Sequence, residues 1–373
     1  MLIRRLTLQN LLSFGPEAVS LEMRPLNVLI GTNGSGKSNV LSALSLLQKA
    51  PRSVLDPIRA GGGIQDWLWQ SRQDSTGMVE VEVNGVNESR LIHSLSFGRV
   101  DNRSGLVGEV IRGDRELYRY IHGRAGIEIN GELRTGAVEA VETSALQIFR
   151  DPFHYPELAG LAQEYERIRL YRDWVYGKST PLRSPQRADL SNAFPQEDAL
   201  NIALVVSKLS RDGMKPRLIE ALQLMIPEVR DFIVDVEGGS VQLFLTEREF
   251  SVPASRLSDG TCRFLLLATI LCHPNPPPLI GIEEPELGMH PDVLPRLARM
   301  LIDASSRTQL VVTTHSDILV DALSETPESV VVCEKDQTGT KLRRLEPGQL
   351  DPWLEKYRLG NLWLSGHLGG TIT

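Results

Sequence analysis

Hydrophobic and polar positions alternate from the first residues. Ile3, Leu6 and Leu8 interleave with Arg4, Arg5 and Thr7, the period of a half-buried strand. Val19 to Met23 predicts a second short strand. Leu26 to Ile30, a compact run with β-branched members, predicts a strand buried on both faces. Then the period changes. Val40, Leu44 and Leu47 recur at helical spacing, with Leu41 and Ala43 beside them. A strand, a glycine-rich loop and a helix therefore follow one another over residues 26–48.

Residues 51–75 are rich in Pro, Gly and Asp and read as loop. Val79, Val81 and Val83 alternate and end at Asn84-Gly85, a strand with a hairpin signal. With the short strands expected up to about 133, residues 77–133 predict an appended antiparallel sheet. The middle has a different texture: a helix near Pro156–Arg167, a strand-like run from Ile168 to Tyr176, and a Pro/Arg-rich loop. Amphipathic helices are expected at Ala199–Leu209 and Leu218–Met225. A hairpin of Phe232–Val236 and Val241–Leu245 turns at Gly238-Gly239. From 257 onward, helices and strands alternate: helix 259–272, strand 279–282, helix 291–304, strand 309–313, helix 317–323 and strand 329–333. That alternation implies a parallel sheet with right-handed crossovers. The aromatic tail, with Trp353, Tyr357 and Trp363, is expected to be ordered. The division predicted is 1–145, an inserted and mainly helical 146–250, and 251–373, in an α/β chain with a mixed sheet core and an antiparallel β lobe.

Composition narrows the function classes. Lys and Arg number 40 against 47 Asp and Glu, a formal charge of −7, which excludes a uniformly basic nucleic-acid coat but leaves room for a local groove. Cys262, Cys272 and Cys333 sit among apolar neighbours without a CxxC or Cys/His cluster, and read as reduced, buried thiols of a cytoplasmic protein. The longest apolar run, Phe264 to Cys272, is too short to span a bilayer and reads as a buried helix, so no membrane partner is expected.

The candidate chemistry begins at Gly31-Thr32-Asn33-Gly34-Ser35-Gly36-Lys37-Ser38, which matches G-x-x-x-x-G-K-[ST]. Glycines let the backbone curl so that successive N–H groups converge on phosphate oxygens. The helix that follows adds its positive dipole end. Lys37 can reach the β- and γ-phosphates, and the Ser38 hydroxyl can ligate Mg²⁺. The expected ligand is ATP with Mg²⁺.

Acidic partners for the metal and the attacking water are expected where an apolar strand ends in Glu283-Glu284-Pro285. Glu283 would hold Mg²⁺, through water, and Glu284 would orient or deprotonate the attacking water. His315, in Thr313-Thr314-His315-Ser316, ends the next strand and can hydrogen-bond the γ-phosphate or that water. Ser258, opening Leu257-Ser258-Asp259-Gly260-Thr261, is a natural helix N-cap, and a helix start with Ser and Gly is also an anion site.

These four elements, in this order, resemble the ATP-binding-cassette-type heads of the SMC/RecF class. Within that class they resemble the OLD-like predicted ATPases of the AAA_21/AAA_15 group. LTLQNLLSFG and LNVLIGTNGSGKSNVLSALSLL look like that class almost throughout. LSDGT resembles its signature, IEEPELGMHP its Walker B and D-loop, and TTHS its switch-histidine region. YRLGNLWLSGHLGG is similar to the ending of standalone members. The resemblance implies a P-loop NTPase of the ABC/SMC-head type in which two subunits sandwich two ATPs. Ser258 and Gly260 would then contact the nucleotide held by the partner's loop, in a homodimer or higher homo-oligomer. Three departures stand out: Glu283 replaces the usual Walker B Asp, the signature reads SDGT, and no metal-contacting glutamine loop is evident, Gln65 and Gln70 being the candidates. There is no long heptad run, so the SMC coiled-coil arm is expected to be absent, with a small helical subdomain of the middle segment in its place, and no TOPRIM nuclease domain is expected after the last core strand.

Two roles follow from the resemblance. One is an ATP-driven switch or sensor in DNA repair or anti-phage defence, with a separate nuclease or toxin effector. The other is a low-turnover scaffold that holds such a partner. Transporters use related heads, but the lack of membrane segments and the EEPE run speak against that role. DNA contact would fall to residues 163–187, with Arg167, Arg169, Arg172, Lys178, Arg183 and Arg187 among Tyr165, Tyr171, Trp174 and Tyr176. The same stretch also reads as a solvated strand face with its aromatics packed inward.

Overall fold

The computed structural model describes residues 1–71, 76–85, 89–100, 103–129, 132–137, 142–175 and 177–370. A six-stranded sheet forms the core, in the order Arg169–Tyr171, Leu279–Glu283, Gln309–Thr313, Leu26–Ile30, Val330–Asp336 and Gly339–Arg344. The first five strands are parallel and the last is an antiparallel edge. Side chains alternate across the sheet. Val28, Ile30, Ile282 and Val312 enter one core, and Leu29, Leu279, Val311 and Val331 enter the other. Burial on both faces explains why these strands read as unbroken apolar runs.

Helix Lys37–Lys49 covers one face, with Pro156–Arg167 packed beside it. Asp259–Leu271 and Leu294–Ser305 cover the other. Every residue from Gly260 to Leu271 is buried, so the apolar run near Phe264 is a helix wrapped in protein on all sides. Among the described residues, no helix is long and apolar enough to cross a membrane.

An eight-stranded antiparallel lobe contains Ile3–Gln9, Val19–Glu22 and the strands between Gly77 and Ala137. The hairpin expected after Asn84 is present as the pairing of Gly77–Asn84 with Arg90–Val100, although residues 86–88 lie outside the described residues. The stretch expected as loop at 51–75 carries two short helices, Asp56–Ala60 and Ile64–Trp67, and its last residues, 72–75, lie outside the described residues.

Residues 146–250 hold the expected helices as Pro156–Arg167, Ile202–Arg211 and Lys215–Gln223. They also hold a small antiparallel sheet of Gln186–Arg187, Val229–Glu237, Ser240–Glu247 and Phe250–Pro253. The expected hairpin turns at Gly238 and Gly239, whose φ of 57° and 80° suit glycine. Helices with one apolar face need a surface to bury it, and this sheet supplies Phe232, Val241 and Leu243 to the shared core. The segment also gives the central sheet an edge strand. Only Arg169–Tyr171 of the run Ile168–Tyr176 pairs there, and Tyr176 lies outside the described residues. At the C-terminus, Pro347–Leu354 and Leu359–Leu364 are helical, with Trp363 buried.

Candidate nucleotide site

The loop at 31–38 joins the central strand Leu26–Ile30 to helix Lys37–Lys49. Gly31, Gly34 and Gly36 have φ of 148°, 76° and 103°, the region that favours glycine. A Cβ on Gly31 would collide with the Cys333 carbonyl, and one on Gly36 with the Thr340 and Ser13 hydroxyls. A Cβ on Gly34 would meet nothing within 4 Å, so the loop is braced beneath and open above. Thr340 Oγ1 lies 2.9 Å from the Ser35 carbonyl and 2.7 Å from Ser13 Oγ, which also accepts from Asn39 Nδ2 at 2.7 Å. Thr32, Asn33, Gly34 and Ser38 face outward at least in part, whereas Ser35 and Lys37 are buried. Lys37 Nζ donates to the carbonyls of Gly31 (2.8 Å) and Thr32 (2.9 Å). Burial pulls its pKa below the ordinary lysine value, against the opposing pull of Cys333 and of Glu284, Glu286 and Glu283.

The register Glu283↔Thr313 and Leu29↔Thr313 brings three strand ends level beside the loop. Glu284 leaves the strand with φ of 44°, uncommon for a residue with a side chain and worth about 1–3 kcal/mol of local strain. Its N–H donates to the Thr313 carbonyl (3.0 Å), and its carbonyl accepts from Arg263. So held, its carboxylate lies 3.4 Å from His315 Nε2. His315 has a pKa below the ordinary histidine value, first through burial and then through the positive charge of Lys37, with Glu284 and Glu286 acting in the opposite sense. The imidazole is therefore neutral at neutral pH. If hydrolysis needs it neutral, the acid limb of turnover should have its midpoint below 6.5, the unperturbed value. A pH–rate profile of the wild-type chain against His315→Ala checks this; a histidine-dependent acid limb centred above 6.5 contradicts it.

Several residues that the sequence reading did not place at this site support this arrangement. Glu286 accepts from Thr314 Oγ1 (2.7 Å) and the His315 N–H (2.8 Å), tying the two strand ends together. Arg172 Nε donates to Glu283 Oε2 at 3.1 Å. Trp174 Nε1 donates to the Glu283 carbonyl at 2.7 Å, and its ring stacks on the Arg263 guanidinium at 3.9 Å. Gly370, near the end of the tail, donates to Glu334 and packs beside Gly31. A second glutamate two residues beyond Glu284 was visible in the sequence. Arg172 and the tryptophan depend on which strand adjoins Leu279–Glu283, which local patterning does not specify.

Ser258 is the N-cap expected, its Oγ accepting from Thr261 N at 3.1 Å. A Cβ on Gly260 would collide with the Gly288 carbonyl, so this helix start packs directly on the turn that follows Glu284. No hydrogen bond among the described residues joins Ser258 or Gly260 to the loop 31–38 of the same chain. Gln65 and Gln70 are exposed, and neither bonds that loop or its carboxylates among the described residues.

The basic stretch is largely committed to internal bonds. Arg167 pairs with Glu164, Arg169 with the carbonyls of Glu166 and Ile168, Arg172 with Glu283, Arg183 with Asp259 and Arg187 with Asp189. Tyr165 and Tyr171 are fully buried. The buried tyrosines match the inward-packed reading of the aromatics, while Arg167, Lys178 and Arg187 are exposed. The three thiols are free and buried, and burial raises Cys262 to about 11 and Cys333 to about 12. Among the described residues no cluster of His, Cys, Asp and Glu is arranged to hold a metal by itself.

The site suits a phosphate ligand with a hard cation. The buried Ser35 hydroxyl has no hydrogen-bond partner among the described residues, and the loop rim is open. The Ser38 hydroxyl and the Glu283 carboxylate are oxygen donors of the kind Mg²⁺ takes. Fold and site together define a P-loop head of the ABC/SMC type.

Comparison with known proteins agrees. The family described as "AAA domain, putative AbiEii toxin, Type IV TA system" matches residues 26–321, and the chain belongs to this AAA_21 family of ATPases. The "Old nuclease" of Escherichia phage P2 is 23% identical over 368 residues, an alignment covering 88% of this chain and 58% of that protein. The chain thus spans little more than half the length of that curated relative. Among solved structures, an Smc head with an extended coiled coil, bound to the C-terminal domain of ScpA and derived from Pyrococcus furiosus, superposes with a TM-score of 0.59 at 12% identity, covering 95% of this chain and 98% of that one. An Smc head bound to the C-winged helix domain of ScpA gives 0.57 at 15%, covering 93% and 99%.

Proposed function

We propose that the chain binds ATP with Mg²⁺ at Gly31–Ser38 and hydrolyses it when two copies close around two nucleotides. The loop amides and Lys37 hold the phosphates. Ser38 and Glu283 hold the metal, which supplies charge neutralisation at the phosphates. Glu284 orients or deprotonates the attacking water, with His315 beside it. Ser258 and Gly260 contact the nucleotide of the other copy. The observation that carries this reading is the convergence of Lys37, Glu284 and His315 at three level strand ends, while Ser258 stays unattached to its own loop.

ATP-dependent closure then acts as a switch for DNA contact or for a separate nuclease or toxin effector, in DNA repair or anti-phage defence. The similarity to a protein named a nuclease, and a family description that names a toxin, support that direction. The solved Smc heads bound to ScpA domains are precedents for a head that docks a partner. The Arg172–Glu283 pair favours a second reading, a low-turnover scaffold that holds such an effector, because it sets an arginine on the metal carboxylate. Light scattering on Glu284→Gln separates the sandwich from a monomeric binder. With ATP and Mg²⁺ the variant should double in mass, and a variant that stays monomeric removes the sandwich.

A further inference from the structure

Arg172 stands where the strand beside Leu279–Glu283 ends. That strand, Arg169–Tyr171, runs parallel to it with Tyr171 opposite Ile282, so the next residues, Arg172 and Glu283, emerge together at the carboxyl edge. The contact is 3.1 Å between Arg172 Nε and Glu283 Oε2, with both side chains mostly shielded from solvent. A guanidinium carries only donors, stays charged at any working pH and offers no lone pair to a cation. It can neutralise Glu283 but cannot share in coordinating a metal there, and its charge repels a divalent ion at the same oxygen.

The same segment grips the signature helix. Trp174 donates to the Glu283 carbonyl and stacks on Arg263, which bonds the carbonyls of Leu287 (3.1 Å) and Glu284. The Gly177 N–H donates to Asp259 at 2.9 Å, one residue beyond Ser258. The segment that carries Arg172 is thus also tied to the start of the helix that Ser258 caps.

We infer that Arg172 is a positioning residue that competes with the metal ion for Glu283, so that binding of the metal–nucleotide complex releases the 172–174 segment. The inference rests on the proposed ATP–Mg²⁺ site. Arg172 thereby sets the metal concentration at which the head commits.

The test uses the full chain carrying Glu284→Gln, which prevents turnover, with binding of a fluorescent ATP analogue followed as Mg²⁺ is titrated. Arg172→Ala and Arg172→Gln should lower the half-saturating Mg²⁺ concentration by about two- to fivefold, the scale of one partly shielded ion pair. Arg172→Lys, which keeps the charge, should stay near the parent. Circular dichroism confirms the fold, and Arg172→Gln serves if Arg172→Ala does not fold. An unchanged or raised half-saturation in the neutral variants overturns the inference. If the parent binds no analogue at any Mg²⁺ concentration, the ATP–Mg²⁺ reading itself has failed, a separate result.

Discussion

Glu284→Gln should lower the rate of ATP hydrolysis by about 10²- to 10⁴-fold, the contribution of a well-placed general base, while nucleotide affinity changes little. The amide keeps the shape of the carboxylate but cannot accept a proton from water. Glu284 is aimed by its backbone as well as by its chemistry. Its left-handed φ is held from both sides, by Thr313 through the N–H and by Arg263 through the carbonyl. Glutamine makes the same backbone bonds, so the turn and the contact with the signature helix survive. Single-turnover kinetics with calorimetric binding checks the split. A variant that hydrolyses within a few fold of wild type would assign the base elsewhere.

Lys37→Ala should weaken ATP binding by roughly ten- to a hundredfold, the loss of one charge-assisted contact worth about 1.5–3 kcal/mol. Lys37 is buried, and its ammonium bonds two loop carbonyls, Gly31 and Thr32. Those bonds place the charge at the mouth of the loop, within electrostatic reach of Glu283, Glu284 and Glu286. Removing it takes away the loop's counter-charge to the phosphates, while Glu283, Glu284 and Glu286 remain nearby. Isothermal titration with ATP and Mg²⁺ measures the change, and unaltered affinity would contradict the phosphate role. Thermal unfolding without nucleotide shows whether the chain still folds.

The parts of the site that were legible in the sequence are those where local pattern and chemistry coincide. Leu26–Ile30, the glycine loop and the helix from Lys37 follow within one short segment, and every spacing there is local. Glu283, Glu284 and His315 were legible because each ends an apolar run, and strands of a parallel sheet deliver their ends to one edge. Arg172 was visible only as one of several basic residues near Trp174. Its pairing depends on Arg169–Tyr171 joining Leu279–Glu283, a contact more than a hundred residues apart in the chain. Arg263 was hidden for another reason: it sits in an otherwise apolar buried helix, and its partners are backbone carbonyls, which sequence does not display. In the middle segment the helical spacing was plain, but the strand at Gln186–Arg187 is too short to show a period. The small sheet therefore appeared only as a hairpin.

The central claim is that each ATP site is shared between two copies. Mixing Lys37→Ala with Ser258→Ala tests it most directly. Each variant alone should be nearly inactive, because every site in it lacks either its lysine or its signature serine. In a mixed dimer, one site keeps Lys37 from one copy and Ser258 from the other, so ATP hydrolysis should return when the two inactive proteins are combined. If the mixture stays as inactive as its components while both remain folded and the wild-type protein turns over, the shared site is contradicted.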